Sequence, residues 1–188
     1  MRPSILLTAA ALLALAGCAA MPGPYDPART GHTVSLVNSL SWTNAVSDKP
    51  DALRTAWPLA GLTRHTEQFP LAQVKLCDAA GVCSWGVLKA QRILSAPRHV
   101  AGGVAVDVQL ELDVDRRHEA LQGGEKVALA IPADVAALAA KRTVRKSLVL
   151  QYGKVARIGL DFGIGYDLCA QRLDAGGKPA DACAIPFM

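Results

Sequence analysis

The chain has 188 residues, with 20 Lys and Arg against 16 Asp and Glu, 51% hydrophobic residues, and three each of Trp, Tyr and Phe. A sequence this apolar and only 19% charged is not intrinsically disordered, because it can bury enough surface to offset chain entropy, and its length suits one domain. The net charge of +4 is too small for the dense basic stripe of a nucleic-acid binder, so nucleic acid is not an expected partner.

Arg2 is the single charge ahead of an apolar run from Ile5 to Ala16 that only Thr8 breaks. A run of this length suits the core of a secretory signal and falls short of the roughly 20 residues a spanning helix needs. It ends in Leu15-Ala16-Gly17-Cys18, which resembles the lipobox of bacterial lipoproteins. In that family the cysteine thiol is diacylated, the leader is cut before it, and the new amino terminus is acylated. The resemblance therefore implies a signal peptide over 1–17 and lipidation at Cys18 with palmitate-type chains. Each buried CH₂ adds about 0.8 kcal/mol, and several chains together anchor stably where one is marginal. Ala19 stands where an Asp would mark inner-membrane retention. By resemblance the location is the outer membrane, with the domain facing the periplasm. Residues 18–32 include Pro22, Gly23, Pro24, Pro27 and Gly31 and read as a flexible tether reaching about 45 Å if extended. The folded domain is expected over 33–188.

With Cys18 acylated, Cys77, Cys83, Cys169 and Cys183 remain. An even number in an exported chain reads as two disulfides, and four cysteines allow three connectivities. Proximity in sequence favours Cys77–Cys83 and Cys169–Cys183. A zinc site is the rival reading, but neither pair has C-x₂-C spacing and no His lies near either.

Along the mature chain the dominant period is two. Val34, Leu36, Leu40 and Trp42 alternate with serines, interrupted by Asn38. Ala72 to Cys77 and Val82 to Leu94 read as the arms of a disulfide-clamped hairpin. From Val104 to Asp115 every even position is Val or Leu and the odd positions are mainly acidic or amide, which predicts one buried and one wet face. Further runs are expected over Lys126–Ile131, Val144–Tyr152 and Val155–Leu168. Pro132 to Lys141 reads as a helix, with Asp134 near its start and Lys141-Arg142 at its end to suit the helix dipole. Asp51 to Trp57, ended by Pro58, reads as a second short helix. The expected fold is all-β: an antiparallel β-sandwich of seven or eight strands with one or two short helices and two disulfides. Residues 156 to 168 also alternate as barrel strands do, but nine aromatics are too few for two girdles.

No G-x-S-x-G, H-E-x-x-H, phosphate-loop or EF-hand signature occurs, and His32, His65, His99 and His118 are scattered. No catalytic, cofactor or metal residue is therefore assigned, and no cofactor is expected. Asp107, Glu111, Asp113 and Asp115 share one strand face, with neighbours about 7 Å apart, a spacing that suits either paired acid–base carboxylates, a cation site or a solvated face. Lys141, Arg142, Arg145 and Lys146 form a basic cluster, and Arg116-Arg117 a smaller one, that would suit lipid phosphates or an acidic partner. Trp42, Trp57 and Trp85 are core or contact residues according to their exposure. The leading expectation is a non-enzymatic, lipid-anchored envelope protein that binds or scaffolds another envelope protein or polymer. The alternatives are an envelope hydrolase or transferase centred on Asp107, Glu111 or Asp113, and a small-ligand carrier.

Overall fold

The computed structural model describes residues 31–185, so the leader, Cys18 and most of the tether lie outside the described residues. Twelve strands follow in order: β1 (Thr33–Thr43), β2 (Pro50–Pro58), β3 (Arg64–Gln68), β4 (Ala72–Cys77), β5 (Cys83–Val100), β6 (Gly103–Asp115), β7 (Arg117–Gln122), β8 (Glu125–Ala130), β9 (Ala136–Ala137), β10 (Ala140–Gln151), β11 (Val155–Gly159) and β12 (Gly165–Leu173). One sheet has the order β11-β12-β1-β2, and a larger one runs β10-β6-β5-β3 with β4 and β9 also paired to β5. β7 and β8 form a separate ribbon. Every pairing is antiparallel except the short β5–β9 contact and a bridge between Tyr152 and Ala170.

The two larger sheets enclose one core. Leu36, Leu40 and Trp42 of β1 and Leu168 and Ala170 of β12 pack with Leu88 and Leu94 of β5 and the six even-numbered residues of β6. The strict alternation of β6 turns Val104, Val106, Val108, Leu110, Leu112 and Val114 inward, all buried, as its period of two demands. Cys77–Cys83 and Cys169–Cys183 are the disulfides. Cys77 and Cys83 stand opposite one another in the β4–β5 ladder, whereas Cys183 returns after β12 to the buried Cys169 beside Val37 and Ile185.

Neither expected α-helix forms. Asp51–Trp57 lies within β2 and pairs residue by residue with β1, its prolines at the two ends where a missing N–H costs little. The segment is too short to nucleate a helix, and pairing with β1 wins. Over Pro132–Lys141 the carbonyls a helix would use are diverted. Arg116 donates to Pro132, Ala133 and Val135 oxygens at 2.9, 3.4 and 3.0 Å, and Ala136–Ala137 pairs with Ser84–Trp85. The alanine run is therefore a strap across β5, and β10 starts at its end. The expected continuous strand over Val155–Leu168 is instead a hairpin. Asp161–Gly163 makes a 3₁₀ turn with Phe162 at φ 59° and Gly163 at φ 71°, which reverses the chain. Ile158 stands opposite Tyr166 and Ala156 opposite Leu168, so both arms keep their even residues toward the core. The strand count exceeds seven or eight because β2, β3, β7 and β9 lack a clean alternation of apolar residues.

Candidate functional site

Asp107, Glu111, Asp113 and Asp115 of β6 lie on the outer face of the larger sheet, flanked by β5 and β10. The β10 register sets Lys141 opposite Asp113, Thr143 opposite Glu111, Arg145 opposite Gln109 and Ser147 opposite Asp107. Three of those four pairs make side-chain contacts. Ser147 donates to Asp107 at 2.6 Å, Arg145 Nε to Gln109 at 2.8 Å, and Gln109 Nε2 to Glu111 at 2.6 Å. Asp113 takes Lys141 Nζ at 3.8 Å and His118 Nε2 at 3.5 Å. The acidic row is thus interleaved with cations and hydroxyls. Among the described residues no three His, Cys, Asp or Glu side chains converge as metal ligands. Two shallow grooves mark this face. One, of about 210 Å³, is lined by Gln68, Gln91, Glu111, Asp113, Lys141 and Thr143 among others. The other, of about 330 Å³, involves Ser95, Asp107, Gln109, Arg145, Lys146 and Ser147.

A second polar constellation lies between the sheets, and the sequence reading did not assemble it. β5 turns Arg92 inward between Ala90 and Leu94, where it is wholly buried. Arg92 Nη2 binds Glu67 Oε2 at 3.0 Å and His65 Nδ1 at 3.0 Å, both from the neighbouring β3. Arginine can only donate, so His65 Nδ1 accepts and the ring is neutral. From the facing sheet, Thr55 of β2 donates to Glu67 at 3.2 Å and accepts from Asn38 Nδ2 of β1 at 2.8 Å. The Trp57 ring lies 4.1 Å from that of His65 and 5.8 Å from the Arg92 guanidinium carbon. Burial, with a further contribution from the Arg92 charge, holds the His65 pKa below its ordinary value. Burial likewise pushes the Tyr166 phenol well up, against the opposing pull of Arg92. Arg92 Nε and Nη1, Asn38 Oδ1, Trp57 Nε1 and Tyr166 Oη are all buried without a hydrogen-bond partner. The cluster ties five strands of both sheets, and its excess of donors suits enclosed water. It offers no nucleophile paired to a free base, because Glu67 and His65 are both taken by Arg92. The one advance signal was Asn38, a polar residue at an inward position of an otherwise apolar alternation.

The histidines do not converge. His32 lies within 3.3 Å of the Tyr152 hydroxyl, His65 belongs to the interior cluster, His118 faces Asp113, and His99 is exposed near the end of β5. Trp42 is buried in the core, while Trp57 and Trp85 are half-buried. The basic cluster of Lys141, Arg142, Arg145 and Lys146 sits on β10, an exposed edge strand rather than a helix end. Arg116 is spent on the 132–135 carbonyls, and Arg117 pairs with Glu119 at 2.7 Å. No family model, curated protein or solved structure matches this chain.

Proposed function

We propose that this protein is a non-enzymatic lipoprotein of the bacterial envelope, anchored in the outer membrane through acyl chains on Cys18 and facing the periplasm. It binds or scaffolds another envelope component through the outer face of its larger sheet. The observation that carries the binding reading is the arrangement of that face: carboxylates of β6 alternate with cations and hydroxyls of β10 across an open, shallow-grooved surface. A flat field of mixed charge and amide groups complements an extended or macromolecular partner, whereas a small substrate is held by an enclosing pocket. The Leu15–Cys18 box and the two disulfides support export to an oxidising compartment.

The anchor is tested by fractionation. The native chain should sediment with membranes and Cys18→Ser should be released; a native chain found in the soluble fraction would remove the anchor. Binding is tested by placing a photoreactive residue at Gln91, in the middle of the face, in the full lipidated chain. One dominant envelope component captured there supports the reading. Capture of the same component after simultaneous charge reversal at Asp107, Glu111 and Asp113 would count against it.

A further inference from the structure

β10 is the terminal strand of the larger sheet and pairs only with β6, in unbroken register from Ala140 opposite Val114 to Gln151 opposite Gly103. In an antiparallel ladder every second residue turns its N–H and C=O away from the partner strand. From Lys141 to Ser147 those outward groups make no backbone hydrogen bond to any other described segment. Such edges are ordinarily blunted by shortness, proline, a bulge or charged side chains, the last of which bars pairing with a like-charged edge but leaves an oppositely charged strand free to pair. The other sheet ends follow that rule: β3 and β11 have five residues each, and β2 is bounded by Pro50 and Pro58. β10 runs for 12 residues with no proline and no register shift.

What it carries instead is charge. The register puts Lys141 and Arg145 on the outer face of the sheet and Arg142 and Lys146 on the other, so cations flank the open edge on both sides. Lys141 and Arg142 already meet Asp113 and Asp161 at 3.8 and 3.1 Å, whereas Arg145 and Lys146 have no carboxylate partner among the described residues. Val144 and Leu148 lie half-buried on the inner side of the same edge, packed against the core rim. A second copy of this chain is disfavoured there, since two β10 edges would set cation against cation. We infer that β10 is the docking edge for an extended, acid-rich segment of a partner protein, which adds to the larger sheet as a further strand. Main-chain hydrogen bonds to the outward amides supply the contact, and Arg145 and Lys146 select acidic side chains. This inference rests on the partner-binding reading above and specifies its chemistry.

The full lipidated chain in neutral detergent is titrated with a blocked ten-residue peptide alternating Glu and Thr. The expected result is saturable binding, at least tenfold slower exchange of outward amides between 141 and 147, and at least tenfold weaker binding to Arg145→Glu/Lys146→Glu. Lys178→Glu, an exposed change in the loop after β12, controls for bulk charge and should bind as the native chain does. Binding without amide protection on β10 overturns the inference, as does binding to anionic phospholipid vesicles with no response to the peptide. A photoreactive residue at Thr143, compared with the one at Gln91, separates the two levels of the argument. Capture of an acidic segment at Thr143 supports the edge. Capture at Gln91 alone sinks the edge and leaves the partner-binding reading intact, and capture at neither sinks both.

Discussion

Arg92 carries its charge into the space between two sheets, and the energetics of the interior turn on how that charge is compensated. Glu67 supplies the counter-charge, with Thr55 and Asn38 completing a chain of hydrogen bonds to the opposite sheet. Removing one member of a buried pair leaves the other stranded, so Glu67→Ala should lower unfolding free energy by about 3 kcal/mol in denaturant titration. Replacing both by apolar residues, as in Arg92→Met/Glu67→Leu, should recover more than half of that loss; a double variant no better than the single one would show that the pair itself is net stabilising. His65 adds a pH dependence. Its folded pKa lies below the unfolded value, so the unfolded chain takes up the proton first as pH falls. Its contribution is complete above about pH 6.5 and is lost progressively below it. Melting temperature should therefore drop on acidification from pH 7.5 to 5.5, with a smaller drop in His65→Gln; equal slopes would acquit His65. None of this cluster except Asn38 announced itself in the sequence. Arg92 sits among Lys89, Gln91 and Ile93, and only the β5–β6 register decides that its face, not theirs, is the inner one.

At the level of elements, strands whose apolar residues alternate were legible and those built from mixed residues were not. β6 could be read residue by residue because its hydrophobic period has no interruption. β2 and the 132–141 strap were misread because alanine, leucine and arginine favour helices locally, and only tertiary partners, β1 and Arg116, override that preference. The β6–β10 ladder also depends on a glycine. A Cβ on Gly103 would collide with the Leu150 carbonyl oxygen, and the obstruction is backbone that cannot rotate aside. Gly103→Ala should cost about 2–3 kcal/mol and loosen the end of β10, seen as faster amide exchange near Leu150; a neutral effect would mean the strands can separate there cheaply. The two disulfides differ in what they close. Loss of Cys169–Cys183, which ties the tail to β12, should cost about 3 kcal/mol, and loss of Cys77–Cys83, a seven-residue hairpin tip, about 2 kcal/mol, from loop length in denaturant titrations of each double Cys→Ala variant.

For the whole molecule, a two-layer β architecture followed from composition and period, while the allocation of strands between layers did not. The candidate face was half legible: the acidic row could be seen in β6, but the cations opposite it belong to β10, and register alone brings them together. That allocation has a consequence in time. β1 lies between β2 and β12, with Thr33 opposite Leu173, so the first strand of the domain is completed by the last. A nascent chain delivered amino-terminus first can form the β1–β2 and β5–β6 hairpins early, yet the smaller sheet stays open until β12 arrives. Most of its ordering entropy must be spent before that contact forms, which places folding on the slow, millisecond-to-second side for domains of this class. For the exported lipoprotein proposed above, that delay would keep the chain threadable until β12 had crossed the membrane.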